Sequence, residues 1–570
     1  MIILGITDTH DTGAALVKDG RIVAAVNEER LTRVKLETSF PLNSVKECFR
    51  ISGIKPSEVN YVAIAGFTTP SFMRRINPAL RKSDEMLSLG DIEKLGVKMR
   101  LWKLYRKAFP EHRGRTNFLE TKISVRAFRK HFEKLGIKAK IFFIDHHISH
   151  AASAHYTSGL RKSLVITADG AGDGLSATVN LAENGIIKKI SETDSRNSVG
   201  NFYGRVTEAL GFKRNRHEGK TTGLAAHGNP KALYEQIAEL IDVDVKKLKF
   251  KTKYDFLFNY KAAKKVHAMG HLNHADLAAA TQIRCEDIFE SLVEEAVKKT
   301  GCGNLTLAGG VFANVRINQR ILETSGVKSV FIHPHMGDGG IGVGAALELY
   351  SRLTSYKPYK LDKGVYFGAG YNDEEIEREL KNQDLKYSYY KDVEGVIAEK
   401  IAKKKIVGRF NGRMEYGPRA LGNRSILADP TDKTINDWLN KRLHRTEFMP
   451  FAPSALEEGA RKIYKNYEKG KYPAKFMTIT FNVTEEGQKM APAVSHIDGT
   501  ARPQVVGEEN PSYFKILKAY KKITGIPLFV NTSFNAHEEP IVCSPLDAIN
   551  SFKKGAVDVL ALGNYVVESK

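Results

Sequence analysis

Ile2-Ile-Leu-Gly-Ile-Thr-Asp8 opens the chain, followed by His10-Asp11-Thr12-Gly13 and then by Ala14-Ala-Leu-Val-Lys-Asp19-Gly20-Arg-Ile-Val. The same plan returns as Leu164-Val-Ile-Thr-Ala-Asp169-Gly170, Gly172-Asp173-Gly174 and Ser176-Ala-Thr-Val-Asn-Leu-Ala-Glu-Asn184-Gly185-Ile-Ile. Each copy reads as an apolar strand ending in Asp, a Gly-containing turn, a second strand, and a tight Asp-Gly or Asn-Gly hairpin into a third strand. Glycine in the turn lets backbone N–H groups approach an anion, and the carboxylates can hold a metal or water. One copy alone is an ordinary hairpin, and two unrelated hairpins are the bland alternative. The repetition favours duplication.

A duplicated strand–Asp–Gly–hairpin is what the two lobes of an actin-like nucleotide-binding fold present to their ligand. The expected class is therefore α/β, with a duplicated actin-like (ASKHA, RNase H-like) N-terminal domain. Downstream, 276–299 reads as a helix. Leu305-Thr-Leu-Ala-Gly309-Gly310-Val-Phe-Ala-Asn314 reads as a buried strand opening through two glycines, where such a fold seats adenosine. Val330 to Gly340 ends in Gly337-Asp338-Gly339-Gly340 and leads into a small-residue helix from 341 to 349. The polar stretch 355–364 marks a boundary, giving domains 1–357 and 364–570. The second domain shows a helix at 398–405 and strands at 406–410 and 526–531, a further α/β pattern.

The 570 residues are 42% apolar and 27% charged, globular values for a chain of several domains. No apolar run of membrane-spanning length occurs, and the apolar N-terminus is too short for a signal peptide. Four scattered cysteines form no CxxC pair, which argues against a disulfide framework or zinc knuckle. These features predict a reduced, cytoplasmic protein. Lys and Arg number 87 against 65 Asp and Glu, a net +22 that points to anionic partners. Residues 71–140 carry 19 basic and 7 acidic residues. This insertion includes Arg74, Arg75, Arg100, Lys103, Arg106, Lys107, Arg113, Arg115, Arg129 and Lys130. A solvated basic helical surface is its plain reading. An anionic-ligand surface is the alternative, and nucleic acid is disfavoured because no recognition motif accompanies the charge.

Asp145-His146-His147-Ile-Ser-His150-Ala-Ala-Ser-Ala-His155 places a strand-to-helix junction at Asp145. His146 and His150 are then i and i+4, so both imidazoles can reach one divalent metal. A histidine pair on a helix is also common as plain structure. Asp338 is the preferred third ligand, leaving open positions for phosphate oxygens. The zincin Glu is absent. In the C-terminal half, Arg409 to Ser425 packs arginines among glycines, a pattern suited to carbamoyl, carboxylate or phosphate groups. His496 to Arg502 and Asn531 to Asn535 are further polar clusters, each readable as a turn or as part of an anion site.

The motifs together resemble the NodU/CmcH carbamoyltransferases, which include nodulation-factor and antibiotic O-carbamoyltransferases. They are H-D-x-x-A-A-L (His10 to Leu16), E-E-R-x-T-R-x-K (Glu28 to Lys35), D-H-H-x-S-H-A-A-S-A (Asp145 to Ala154) and E-G-K-x-x-G-L-A (Glu218 to Ala225). G-G-V-x-x-N (Gly309 to Asn314), G-D-x-G (Gly337 to Gly340), G-P-R-A-L-G-N-R-S (Gly417 to Ser425), D-G-T-A-R (Asp498 to Arg502) and N-T-S-F-N (Asn531 to Asn535) complete the set. The resemblance covers essentially the whole chain. It implies an actin-like N-terminal domain and a YrdC-like C-terminal domain. It also implies an ATP-dependent transferase that forms carbamoyl-adenylate from carbamoyl phosphate and passes the carbamoyl group to an acceptor hydroxyl.

On this resemblance, ATP or the adenylate contacts Asp8, Lys35, Asp169, Gly170, Asp173, Gly309, Gly310, Asn314 and Gly337. Carbamoyl phosphate contacts Arg419, Arg424, His444, Arg445, Arg502, Asn531, Ser533 and Asn535. His10, Asp11, Arg419, Arg445 and Arg502 are the catalytic candidates. His146, His150 and Asp338 are the metal ligands, with iron(II) preferred and magnesium, manganese or zinc possible. Leu443 and Met449 stand where many members have Lys and Arg facing the donor. The labile adenylate predicts an enclosed passage between the sites. An actin-like protein acting on RNA is the alternative function; a sugar kinase leaves the C-terminal domain unexplained. Acceptor identity and oligomeric state are not legible.

Overall fold

The first strand, β1 (Ile2–Thr7), is buried at all six positions. Such an unbroken apolar run belongs at a sheet centre covered on both faces, not at a solvated edge. β1 pairs antiparallel with β2 (Gly13–Lys18) and parallel with β4 (Tyr61–Ala65). With β3 (Arg21–Asn27) and β5 (Lys140–Ile144) the sheet order is β3-β2-β1-β4-β5. The computed structural model describes residues 1–68, 75, 118–256, 259–444 and 451–569. The calls on Arg74, Arg100, Lys103, Arg106, Lys107, Arg113, Arg115, Arg445 and Met449 lie outside these. Exposed Arg126, Arg129 and Lys130 fit a solvated face.

The second sheet repeats the first. β6 (Lys162–Gly172), β7 (Leu175–Glu183) and β8 (Ile186–Asp194) form an antiparallel meander. After a separate hairpin, β9 (Ile241–Asp244) and β10 (Lys249–Thr252), the strands β11 (Asn304–Ala308) and β12 (Ser329–Ile332) run parallel to β6. The order β12-β11-β6-β7-β8 is the first order read from the other end. The local geometry repeats too. Asp19 and Gly20 take φ of 50° and 76°, and Asn184 and Gly185 take 52° and 77°, as a type I′ hairpin requires. Asp11 and Asp173, in the two Gly turns, are both left-handed at 60° and 49°. This is the duplicated RNase H-like topology of an actin-like fold.

The small-residue helix Ile341–Leu353 packs closely on both the first sheet and the helix His146–Thr157. A Cβ on Gly344 would lie 1.8 Å from the Ser149 carbonyl oxygen, and one on Gly5 would lie 2.0 Å from that of Gly342. Such contact distances admit no larger side chain. They fix the helix, and with it the Asp338–Gly340 turn at its start.

By contact the chain divides into two units. The first comprises Met1–Val23, Thr38–Leu42 and Gly53–Lys360; the second comprises Ala24–Glu37, Asn43–Ser52 and Leu361–Lys570. Segments 24–37 and 43–52, which the sequence reading places in the first domain, thus pack in the second unit. Arg33 holds the first there, donating to the Ile541 and Pro540 carbonyls at 2.7 Å, and Glu28 ties it to the second, accepting Ser44 N and Oγ at 2.7 Å and Asn43 Nδ2 at 2.8 Å. The second unit is also α/β. Its main sheet contains β13 (Ser388–Tyr389), β14 (Val407–Phe410), β15 (Arg424–Ala428) and β16 (Ala452–Leu456). A short pair, β17 (Phe481–Asn482) and β18 (Thr500–Ala501), stands apart. β19 (Gln504–Val506), β20 (Leu528–Ser533), β21 (Val559–Leu562) and β22 (Tyr565–Glu568) complete the sheet, in the order β13-β22-β21-β14-β15-β20-β16-β19. The helices Val393–Ala402 and Pro511–Thr524 cover it through Ile397, Ile401, Ile516, Leu517 and Tyr520. Among the described residues, no helix is long and apolar enough to cross a membrane.

Candidate functional sites

Asp145 caps the helix His146–Thr157, accepting Ile148 N at 2.8 Å. The cap starts the helix one residue before His146, so both His146 and His150 fall on its inward face. In β6 the ladder with β7 breaks between Ala168 and Gly172, and this bulge re-aims Asp169. The Asp338–Gly340 turn delivers Asp338. Four side chains meet: His146, His150, Asp169 and Asp338 each offer a ligand atom, all within 4.8 Å of one another. His146 Nε2 lies 3.2 Å from Asp169 Oδ2 and 3.5 Å from Asp338 Oδ1. His150 Nε2 lies 3.5 Å and 3.4 Å from the same atoms. Asp169 is the residue that the sequence reading assigned to nucleotide; its partnership with the histidines was legible only as one half of the repeat.

The cluster fits a divalent ion. His150 Nε2 and Asp338 Oδ1 are buried without a hydrogen bond, an arrangement that costs stability unless something bridges them. Two imidazoles and two carboxylates suit a transition metal better than magnesium. Burial alone would lower the His146 pKa, but Asp338 and Asp169 outweigh it and push it up to about 10. Burial would likewise raise Asp169, yet His146 and His150 hold it well below the usual carboxylate range. The Nδ1 atoms of both rings are buried without acceptors, so packing sets their orientation. Gly172 is the seat: a Cβ there would lie 2.1 Å from the His146 ring.

Around the cluster the predicted residues divide. His10 Nδ1 is 3.3 Å from Asp338 Oδ2, with 45% of the side chain exposed. Burial works against its protonated form, but Asp338, Asp169 and Asp11 raise its pKa. Asp11 faces His335 at 3.8 Å. Asp8 is differently employed. It is buried in a bidentate pair with Arg75, at 3.0 and 3.1 Å, and Arg75 also donates to the Gly66 and Phe67 carbonyls. The Asp8 carboxylate is therefore committed to structure, and Arg75 is no solvated surface cation. Asp173 is equally committed. It accepts Phe67 N, Thr68 N and His146 N at 2.8–2.9 Å, and so fastens the start of the histidine helix.

On the nucleotide side, Gly310 N donates to Asp169 Oδ1 at 3.2 Å. Gly309 has a φ of 111°, and a Cβ there would lie 2.1 Å from the Ala168 oxygen. Gly309 N also donates to Met336 O at 2.7 Å, which joins this turn to the loop carrying Gly337. Asn314 caps the helix Val315–Glu323 and donates to Gln282 Oε1 at 2.8 Å. Gly170 O accepts Asn201 Nδ2 at 2.8 Å. Lys35 belongs to the Ala24–Glu37 segment of the second unit.

In the second unit the arginines have unlike roles. Arg424 is fully buried and donates to the carbonyls of Ala369, Asn411, Gly412 and Asn423, with its guanidinium 3.6 Å over the Phe410 ring. It is a loop clamp rather than an anion donor. Arg409, also buried, is held by the Gly422 carbonyl and by Asn423 and Ser512. Arg419, by contrast, is held well below its ordinary pKa by burial and by the neighbouring charge of Arg502. Two guanidiniums near enough to feel each other's charge suit an anion. Glu415, which the sequence reading did not assign, shapes their loop: its Oε1 accepts Leu421 N, Asn423 N and Arg424 N at 2.8, 2.7 and 3.2 Å. The only sign of it in the sequence is an acidic residue alone in an arginine–glycine run.

Asn531 Nδ2 donates to Ala420 O, Ser454 Oγ and Gln504 Oε1, and its Oδ1 is buried without a donor. Ser533 lies half-buried on β20 opposite Ser425. Asn535 Nδ2 is spent on the Ala536 and Glu539 carbonyls. His444 is exposed, with a φ of 53°. Leu443 is fully buried, and its carbonyl accepts His537 N at 2.8 Å. It packs in the core rather than facing a donor as the aligned Lys was expected to.

The carbamoyltransferase N-terminus family model matches residues 2–347 and the C-terminus model residues 398–569. Nodulation protein NolNO of Sinorhizobium fredii is 32% identical over 99% of this chain and 80% of its own length. The uncharacterised protein MJ1051 of Methanocaldococcus jannaschii is 32% identical over 99% of both chains. Nodulation protein NolO of Bradyrhizobium diazoefficiens is 34% identical over 75% of this chain and 79% of its own. Among solved structures, full-length HypF in its phosphate- and nucleotide-bound form aligns at 12% identity and a TM-score of 0.33, covering 63% of this chain and 56% of HypF.

Proposed function

Because the chain belongs to the carbamoyltransferase family, we propose that it activates carbamoyl phosphate with ATP and transfers the carbamoyl group to a hydroxyl of a small-molecule acceptor. Carbamoyl phosphate, ATP and water give carbamoyl-adenylate, phosphate and pyrophosphate. The acceptor oxygen then attacks the carbamoyl carbon, AMP leaves, and the hydroxyl proton goes to a base. The family match favours this reading over the alternative on RNA.

The second unit, with its YrdC-like reading, is assigned the adenylation. Arg419 and Arg502 meet the donor's phosphate oxygens with charge-assisted bonds. Asn531 Oδ1, buried and without a donor, accepts from the carbamoyl NH2 group. His444, Arg445, Ser533 and Asn535 complete the donor site, and Arg424 holds its loop. The first unit is assigned the transfer. The Gly309–Gly310 and Asp169–Gly170 turns and Gly337 receive the adenylate, and Asn314 holds the helix behind them. His10, partly exposed beside Asp338 and Asp11, takes the acceptor proton. His146, His150, Asp338 and Asp169 would hold a divalent ion, with iron(II) preferred over manganese, zinc or magnesium, and such an ion would supply Lewis-acid polarisation at the adenylate phosphate.

The observation that carries this reading is the convergence of four buried ligand atoms, two of them without hydrogen bonds. The test follows pyrophosphate release and carbamoylated product separately in wild type, His150→Ala and Asp338→Ala, with metal content measured alongside. The variants should release pyrophosphate while losing metal and transfer. Full metal occupancy in both removes the ligand assignment, and equal loss of both half-reactions removes the division of labour.

A further inference from the structure

We infer that Arg214 is an anion-binding residue of the first unit, placed to hold the phosphate of an adenosine monophosphate group beside the His146–His150–Asp169–Asp338 cluster. The inference rests on the transfer reading above and adds a binding group that neither the motifs nor the family match assigns.

Three observations carry it. First, Arg214 is joined to the cluster's own turn. Its Nη2 donates to Asn201 Oδ1 at 2.6 Å, and Asn201 Nδ2 donates to Gly170 O at 2.8 Å. Gly170 follows the cluster member Asp169, whose carbonyl accepts Ser198 Oγ at 3.1 Å. The approach is close: a Cβ on Gly200 would lie 2.9–3.0 Å from Asp169 and Gly170 backbone atoms.

Second, the guanidinium is held rather than free to swing. The side chain lies across Gly204, where a Cβ would be 3.0–3.4 Å from its Cγ, Nε and Cδ. Third, it has no direct ion-pair partner. Nε is buried without an acceptor, and among the described residues no carboxylate lies within ion-pair distance of Arg214. Glu208, Glu218 and Asp255 act on it only from beyond ion-pair distance. Glu208 pairs with Arg205 at 2.7 Å, and Glu218 accepts Asn215 N at 2.5 Å. Burial and the adjacent Arg205 lower the Arg214 pKa to about 9. A half-buried guanidinium with one N–H group unsatisfied gains strongly from an anionic partner. The anion should be a phosphate, because two carboxylates and two neutral imidazoles around a divalent ion sum to zero and leave an adenylate's charge for another cation to meet.

The experiment uses full-length protein with total manganese below the protein concentration. It reads the broadening of the 31P NMR signal of added AMP by protein-bound manganese, which reports only phosphate near the cluster. Arg214→Met should bind as much manganese as wild type but need at least ~10-fold more AMP for half-maximal broadening, with Arg214→Lys in between. An unchanged half-saturation in Arg214→Met overturns the inference. So does loss of manganese in that variant, which would make Arg214 a packing residue. Manganese binding without AMP broadening in wild type sinks the inference and leaves the metal site standing, whereas no manganese binding in wild type sinks both.

Discussion

The ligand cluster of the first unit and the arginine loop of the second were both assembled from charged residues, yet their residues relate differently to the chain. In the first unit the ligands sit on regular elements or at their ends: two on one helix, one on a strand bulge and one on a turn that opens a helix. Spacing along such elements dictates direction in space. In the second unit the arginines stand on or beside irregular loops, and tertiary contacts decide which guanidinium is spent. Arg424 donates to four carbonyls, while burial and the charge of Arg502 hold the Arg419 pKa well below its ordinary value. Neighbouring arginines of one motif therefore sit in different surroundings.

The contrast can be broken experimentally. The largest effect should come from the first unit: Asp338→Ala or His150→Ala should cut metal affinity by at least ~100-fold, more than the loss of an outer-shell partner typically costs. Metal analysis after dialysis checks this. In the second unit, Arg419→Ala or Arg502→Ala should cost about 2–5 kcal/mol of donor binding or transition-state energy, read from carbamoyl phosphate-dependent pyrophosphate release.

Arg424→Ala should cost about 3 kcal/mol of stability, since it strips a charged donor from buried carbonyls. If Arg424→Ala instead melted like wild type and lost only donor affinity, the assignment of unlike roles would fail. Gly172→Ala should cost about 1–3 kcal/mol and lower metal content, because its Cβ would overlap the His146 ring. Full metal occupancy in that variant would mean the ring can shift without consequence.

A last effect concerns pH. Without metal, the folded-state pKa of His146 stands at about 10, above its ordinary value. The folded state thus binds more protons than the unfolded one. This contribution to stability is complete below about pH 6.5 and is lost as pH rises through about 10. Metal binding must displace that proton, so metal affinity should rise across the same window. Melting curves of metal-free protein against pH check the sign, and Asp338→Asn should flatten the dependence.

The sequence by itself determined the duplicated fold, because strand–turn–hairpin patterns are local and the type I′ turns at Asp19-Gly20 and Asn184-Gly185 are set by residues that tolerate positive φ. It determined the histidine pair too, since helical spacing and the Asp145 cap put both rings on one face. Only the tertiary structure decided the fate of the charges. Asp8 and Asp169 hold equivalent places in the repeat, yet Arg75 neutralises the first and a bulge turns the second into the cluster. It likewise decided that 24–37 and 43–52 leave the first unit, that Leu443 fills a core, and that Glu415 gathers three loop N–H groups. The physical reason is one of range. Backbone geometry follows from neighbours a few residues away, whereas a buried charge takes its role from whichever partner the folded chain brings within hydrogen-bond reach.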